Sequence, residues 1–310
     1  MIYTITFNPA IDHIMYASEP LTKRKNNRVS EKALDLGGKG LHVSHALTQL
    51  QIENCALTYA GAENEAQLVS LLKQRELRYE LFLEQDASTR DTFVLMDSSG
   101  EGSLMVTEHG FAVSRETHDM LWQFLLRHAA TSDTVILSGS LPPGYSQDRL
   151  KEILHLLKEK QCLIACDFSG EALRTAITEK VDFIKPNEQE LMELAPSGET
   201  VEKQLSLLNK TVRYVVFSRG KRGCTALIDG DCFHVSAPKV KERNDTGAGD
   251  IFVGALFAGR ERGYSWEQSL AFATGCSASK ATKMTSADFD VEEAKMFRAK
   301  TLVKITKGVG

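Results

Sequence analysis

Asn244-Asp245-Thr246-Gly247-Ala248-Gly249-Asp250 runs directly into the apolar stretch Ile251-Phe252-Val253-Gly254-Ala255-Leu256-Phe257. Small residues followed by an unbroken apolar run read as a tight loop opening a buried helix. Glycine at 247 and 249 lets backbone N–H groups come close to a phosphate, and the helix N-terminus adds partial positive charge. Asp250 stands where a substrate hydroxyl can lose its proton; the alternative is an ordinary helix cap. An anion loop that ends in a carboxylate on a helix start suits phosphoryl transfer in an α/β chain, where ligands sit beyond the strand ends.

Upstream of this loop, short apolar runs alternate with amphipathic stretches. Strands are expected at 2–7, 55–60, 134–138, 162–167, 182–185 and 212–218. Helices are expected at 39–50, 63–75, 114–130, 146–160, 169–178 and 187–195, then at 248–259 and 266–283. That order predicts a doubly wound, mostly parallel sheet with helices on both faces. Residues 11–35 and 88–108 break the rhythm with β-type alternation, as in Thr92-Phe93-Val94-Leu95-Met96 and Ser103-Leu104-Met105-Val106 around the turn Asp97-Ser98-Ser99-Gly100. They are expected to pair as a small antiparallel sheet, a lid over a substrate cleft. No repeat or Pro-rich linker divides the 310 residues, so one domain is expected across 1–310.

Bulk properties narrow the class of partner. With 42% hydrophobic and 25% charged residues the chain has ordinary globular composition. A net charge of −4 argues against nucleic acid or an anionic membrane, and favours a small molecule. The six cysteines include no C-x-x-C pair and there is no histidine cluster at ligand spacing, which fits reduced thiols in a cytoplasmic protein. Met1–Phe7 lacks a basic flank and reads as a first strand, and no run of about 18 apolar residues is present.

A second glycine cluster, Asp35-Leu36-Gly37-Gly38-Lys39-Gly40, precedes the helix that begins Leu41-His42-Val43-Ser44. Lys39 at a helix start can reach an anionic or hydroxyl-rich group, or can simply be solvated at a strand-to-helix turn. The cluster is not a Walker A loop, since G-x-x-x-x-G-K-[ST] occurs nowhere, and Gly247-Ala248-Gly249 lacks the third glycine of a dinucleotide fingerprint.

Taken together, Gly37-Gly38-Lys39-Gly40 and Asp245-Thr246-Gly247-Ala248-Gly249-Asp250 resemble the two signatures of the PfkB, or ribokinase-like, carbohydrate kinases. Asn8-Pro9-Ala10-Ile11-Asp12, Thr89-Arg90, Leu137-Ser138-Gly139-Ser140-Leu141-Pro142, Lys185-Pro186-Asn187-x-x-Glu190 and Ser218-x-Gly220-x-x-Gly223 fall in family order between them. The opening segment and Ser-Gly-Ser-Leu-Pro-Pro-Gly are most similar to the 1-phosphofructokinase and tagatose-6-phosphate kinase branch. The resemblance implies a three-layer αβα sandwich with a β lid, and transfer of the ATP γ-phosphoryl group to a hydroxyl of a ketohexose monophosphate. It implies ATP and Mg2+ as cofactors, and a homodimer through the lid as a possible assembly.

The resemblance also distributes roles. Asp250 is the base, with the N–H groups of Gly247, Ala248 and Gly249 on the transferring group. Asp12, Gly38, Lys39, His42, Arg90 and Ser138 lie on the sugar side. Lys185, Asn187, Ser218, Gly220, Gly223 and Gly249 lie on the nucleotide side, and Asn187 and Glu190 position magnesium through water. Residue by residue, other readings stand beside these. Asp12 can cap a turn, Asn187 and Glu190 have capping-box spacing, and the basic residues of 219–222 can be solvated. Three departures bear on the sugar. His42 stands where the family has an asparagine, Asp91 follows Thr89-Arg90 in place of an asparagine with no lysine after it, and Glu108-His109-Gly110 replaces a common Pro-Gly. A kinase for another sugar or a nucleoside, and a non-catalytic ATP- or sugar-binding regulatory protein, are the other readings of the same fold.

Overall fold

Ile2–Thr6 is apolar or β-branched throughout and wholly buried, and it forms strand β1 in the interior of the main sheet. The computed structural model describes residues 1–99, 102–194 and 200–307. The remaining strands in chain order are β2 (Ala10–Ala17), β3 (Val29–Gly37), β4 (Asn54–Gly61), β5 (Tyr79–Glu84), β6 (Arg90–Asp97), β7 (Ser103–Thr107), β8 (Thr134–Ser138), β9 (Leu163–Asp167), β10 (Phe183–Ile184), β11 (Tyr214–Ser218), β12 (Cys224–Ile228), β13 (Asp231–Val235) and β14 (Val303–Thr306). The helices are α1 (Lys39–Gln49), α2 (Glu65–Gln74), α3 (Arg115–His128), α4 (Gln147–Glu159), α5 (Gly170–Thr178), α6 (Glu188–Leu194), α7 (Val201–Asn209), α8 (Ala248–Glu261), α9 (Trp266–Ala281) and α10 (Val291–Ala299).

Among the described residues ten strands form one sheet in the order β14-β13-β12-β11-β10-β9-β8-β1-β4-β5. From β5 to β11 every pairing is parallel, and β12, β13 and β14 continue antiparallel. The chain leaves β1 for β4 on one side and later returns to β8 on the other, so the C-terminal ends of these strands border a topological switch point. Side-chain alternation along β1 feeds two cores. Tyr3 and Ile5 pack with Leu121, Leu125 and Leu150 from α3 and α4, and Ile2 packs with Val43, Leu47 and Leu256 from α1 and α8. Helix α8 is apolar on nearly all sides because it lies between α1 and α9, and Gly254 lets it approach the Val43–Ala46 turn of α1.

The four strands of 10–17, 29–37, 90–97 and 103–107 form a separate sheet, ordered β3-β2-β6-β7. It is mixed rather than antiparallel. Two antiparallel hairpins join through a parallel β2–β6 pairing. The reason is topological: β2 follows β1 and β6 follows β5, and both leave the C-terminal edge of the same parallel sheet, so they must run the same way. The expected turn at 97–100 is described only to Ser99; Gly100 lies outside the described residues. Strands β5 and β12–β14 and helices α7 and α10 are additions to the sequence reading. No described helix is long and apolar enough to cross a membrane.

Candidate active site

Gly247 sets the geometry of the anion loop. It caps α8 in the left-handed region (φ 79°), and a Cβ there would collide with the carbonyl oxygen of Ser286. The loop before it is pinned by Asn244, whose Oδ1 accepts the Thr246 N–H (2.9 Å) and whose Nδ2 donates to the Met284 carbonyl (2.8 Å). Lys280 is fully buried and donates from Nζ to the Asn244 carbonyl (2.8 Å). Burial lowers its pKa to about 8 against the pull of Asp245, Asp35 and Asp250.

The N–H groups of the loop are not equivalent. Ala248 donates to the Asp245 carbonyl (3.0 Å), while Gly247 O accepts from both Asp250 N and Ile251 N. Among the described residues the Gly247 and Gly249 N–H groups have no acceptor, so these two, and not Ala248, are available to an oxyanion.

Asp250 occupies the first turn of α8 and is only 6% exposed. Its Oδ2 is 2.7 Å from Nδ1 of His42, a buried residue on α1. The other ring nitrogen, Nε2, is 2.8 Å from the Leu36 carbonyl, an acceptor only, and 3.9 Å from Asp12 Oδ2. Burial by itself lowers the His42 pKa, but the hydrogen bond and charge of Asp250, with Asp12 and the Leu36 carbonyl, outweigh it and push the value up to about 9. Asp12, at the start of β2, accepts from Ser286 Oγ (2.7 Å); burial raises its pKa to about 6 against the opposing effects of His42 and Ser286. Asp35 ties the same region together, accepting from Arg75 Nε (3.1 Å), Arg75 Nη2 (2.6 Å) and the Ser286 N–H (2.9 Å).

A second charged group lies at the ends of β9 and β10. Asp167 closes β9 wholly buried, and among the described residues neither carboxylate oxygen has a hydrogen-bond partner. Lys39 Nζ stands 3.7 Å and Lys185 Nζ 3.4 Å from its Oδ1. The charge of Asp167, with those of Asp250 and Glu190, raises the Lys39 pKa against partial desolvation, so Lys39 stays an ammonium. The Lys185 ammonium also stands against Gly249, where a Cβ would come within 3.4 Å of it. The structure thus places the Lys185 ammonium at the anion loop.

Other sequence-chosen residues are more engaged than expected. Arg90 gives Nε to Pro9 O (3.3 Å), Nη1 to Glu108 O (2.9 Å) and Nη2 to Asn8 O (3.0 Å), which bolts the small sheet to the end of β1. Its fork keeps two further N–H donors. Asp91 Oδ1 is 2.8 Å from His13 Nε2, and the His13 ring stacks on Phe93. Ser138 ends β8 with its hydroxyl buried and unpartnered. Gly38 caps α1 at φ 110°, with Lys39 opening the helix. Asn187 and Glu190 form a reciprocal capping box, Glu190 Oε2 accepting from Asn187 N and Asn187 Oδ1 from Glu190 N, each at 2.9 Å. Ser218 ends β11 bound to Pro186 O. Gly220 and Gly223 flank the next turn at positive φ, and a Cβ on Gly223 would collide with Val235 O on β13.

Sequence reading passed over Asp167, Lys280 and Ser286. Asp167 carried a usable signal, a carboxylate closing the apolar run Leu163-Ile164-Ala165-Cys166 at a parallel strand end. Lys280 and Ser286 carried none, since their partners lie 36 and 274 residues away.

The small sheet reaches over this cluster: Ser103 Oγ, at the start of β7, is 3.2 Å from Thr246 Oγ1 and 3.4 Å from Asp245 Oδ1. Its inner face packs Ile14, Val94 and Met96 against Met284. Residues 5–293 match the model of the pfkB family carbohydrate kinases. The chain belongs to this family. As a pfkB kinase it is a phosphotransferase with a hydroxyl acceptor and ATP as substrate. The pfkB chain is 28% identical over 288 residues to 1-phosphofructokinase from Vibrio cholerae (91% of this chain, 90% of the relative). It is 27% identical over 267 residues to tagatose-6-phosphate kinase from Staphylococcus epidermidis (84% and 85%). The crystal structure of phosphofructokinase-2 from Escherichia coli in complex with fructose-6-phosphate superposes with a TM-score of 0.85 over 96% of this chain and 98% of that one, at 24% identity, and fixes the fold as ribokinase-like.

Proposed function

We propose that this pfkB kinase phosphorylates a hydroxyl of a ketohexose monophosphate, as 1-phosphofructokinase does with fructose 1-phosphate or as tagatose-6-phosphate kinase does. The observation that carries the reading is the convergence of the Asp250 carboxylate, the two free N–H groups of Gly247 and Gly249, and the ammonium groups of Lys39 and Lys185 at the strand ends. The ammonium groups and the two N–H groups hold the charge of the γ-phosphoryl group, and Asp250 accepts the hydroxyl proton. The acceptor O–P bond forms, the bond to ADP breaks, and its electron pair leaves with the β-phosphate oxygen. Asp12 accepts from sugar hydroxyls when ionised, above a pH of about 6. The spare donors of Arg90 take the sugar phosphate. 31P NMR of the product tests this: a second phosphomonoester signal on the ketohexose phosphate, matched by ADP, is expected, and ADP release without such a signal refutes it.

Mg2+ is proposed as the metal that accompanies the nucleotide. Among the described residues no three carboxylates, histidines or cysteines gather as a metal cage. Asp167 Oδ2, which has no hydrogen bond or ion pair among the described residues, and the Glu190 carboxylate fit a hard cation that fills its shell with water and phosphate oxygens. When bound, the ion neutralises charge between the β- and γ-phosphates. Burial raises the Glu190 carboxyl pKa against the opposing pull of Lys39 and the Asn187 N–H. Glu190→Gln is expected to raise the Mg2+ concentration for half-maximal rate by roughly tenfold or more. An unchanged Mg2+ titration would leave Glu190 with its capping role alone.

We also propose that the small sheet is the cleft's lid and the surface of a homodimer. Leu104, Met105 and Val106 on β7 and Val29 and Leu34 on β3 are each about half exposed, an apolar band on two edge strands. Leu104→Glu combined with Val106→Glu is expected to convert a dimer into a monomer in light scattering. A wild-type monomer at micromolar concentration would refute the dimer.

A further inference from the structure

His42 is the residue at which this chain departs from its family's first signature, and it touches the base directly. Its Nε2 faces the Leu36 carbonyl at 2.8 Å and therefore carries a hydrogen. Its Nδ1 faces Asp250 Oδ2 at 2.7 Å, and the carboxylate of Asp12 stands 3.9 Å from Nε2. An imidazolium satisfies all three neighbours at once, donating to both acceptors and balancing the buried negative charge. A neutral ring cannot. If it keeps the Nε2 hydrogen, its Nδ1 lone pair points at the Asp250 carboxylate; if it keeps the Nδ1 hydrogen, the Nε2 lone pair points at the Leu36 oxygen and Asp12.

We propose that His42, held as an imidazolium between the Leu36 carbonyl and Asp250, is the positioning residue for the catalytic base, and that loss of its proton disarms the enzyme at alkaline pH. The inference rests on Asp250 being the base, as read above. Oδ2 of Asp250 is committed to the ring, and among the described residues Oδ1 has no other partner. The carboxylate is thereby fixed with one oxygen presented to the acceptor hydroxyl, which removes the rotamer search that an unpaired aspartate would make. His42 does not relay the proton, because both nitrogens end on protein groups and the ring is buried.

The groups that face the ring are Asp250 from α8, Asp12 from β2 and the Leu36 carbonyl from β3. Asp35 and Arg90 act on Asp12, and Lys280 interacts with Asp250. These place the loss of the His42 proton near pH 9. Lys280 titrates lower, at about 8, and is common to wild type and His42 variants, so a substitution at 42 separates the two.

Two measurements test this. In 15N-histidine-labelled wild-type protein at pH 7.5, NMR should show one buried ring, absent from His42→Asn, with both nitrogens protonated; this needs no acceptor sugar and so reads independently of the substrate proposal. In the kinase assay with a working acceptor, wild-type kcat should fall as pH rises through about 9, and His42→Asn, which keeps a donor amide without a titrating group, should lose that limb. His42→Ala should lower kcat by roughly 10- to 100-fold with the KM for Mg-ATP changed less than about threefold, and His42→Asn should recover most of the loss. Thermal unfolding identifies a variant that has failed to fold, in which case His42→Asn and His42→Gln carry the comparison. A neutral ring at pH 7.5, superimposable pH profiles of wild type and His42→Asn, or an effect confined to KM overturns the proposal.

Discussion

Asp250→Asn is expected to lower kcat by roughly a hundred- to ten-thousand-fold, the range of a positioned general base, while the KM for Mg-ATP stays within a few-fold. The substitution is nearly isosteric, so the α8 start and the N–H groups of Gly247 and Gly249 persist and the nucleotide still binds. It also removes the anion that holds the His42 proton, so the variant's His42 should titrate well below the wild-type ring. Steady-state kinetics checks the first statement and histidine NMR the second. Near-normal turnover in Asp250→Asn would falsify the assignment of the base and leave its carboxylate only as the buried partner of His42.

Gly247→Ala is the second large effect. A left-handed backbone costs an L-residue roughly 1–2 kcal/mol, and here the new methyl also meets a fixed carbonyl, that of Ser286, which is itself tied to Asp35 and Asp12. The loop must therefore move. A stability loss of at least about 2 kcal/mol in denaturant unfolding is expected, within the range of strained-backbone substitutions. Because one of the two free N–H donors moves with the loop, kcat should fall by about a hundredfold or more, as when an oxyanion donor is removed. Wild-type stability and rate together would show that the loop does not require its glycine.

The fold was largely legible because the parallel core is written in contiguous apolar runs, from Ile2–Thr6 to Tyr214–Ser218, that no surface strand imitates. What escaped was local or distant. Asp229-Gly230, both at positive φ between Cys224–Ile228 and Asp231–Val235, is the two-residue hairpin signal that announces β12 and β13, and it was there to be read. β14 was not, since Val303–Thr306 is a short, mostly exposed edge strand paired with β13. The small sheet's parallel centre depends on where β1 and β5 end in space, which alternation along 11–35 and 88–108 does not encode.

The site divides the same way. Glycine spacing found the anion loop, but not that Ala248 turns its N–H back to Asp245. Arg90 read as a cation for a phosphate, but its three bonds to the carbonyls of Asn8, Pro9 and Glu108, far off in sequence, were not legible. Lys185 was chosen from its place after a strand, but the Asp167 carboxylate beside its ammonium was not legible. His42 was visible as a departure, and its meaning was not, because its partner is 208 residues away.

The substrate side is where this chain differs most from the motif it otherwise follows. Asp91 is paired with His13, where the family pattern carries an asparagine and then a lysine. The spare donors of Arg90 are then the charge left to favour a phosphorylated sugar over its parent. The measurement that bears most directly on this is kcat/KM for Mg-ATP-dependent ADP release with fructose 1-phosphate, fructose 6-phosphate, tagatose 6-phosphate and the free ketohexoses. One of the phosphates should exceed every free sugar by about a hundredfold or more, the worth of a charge-assisted phosphate contact. A free sugar preferred over all three phosphates, or no release with any of them, would contradict the account.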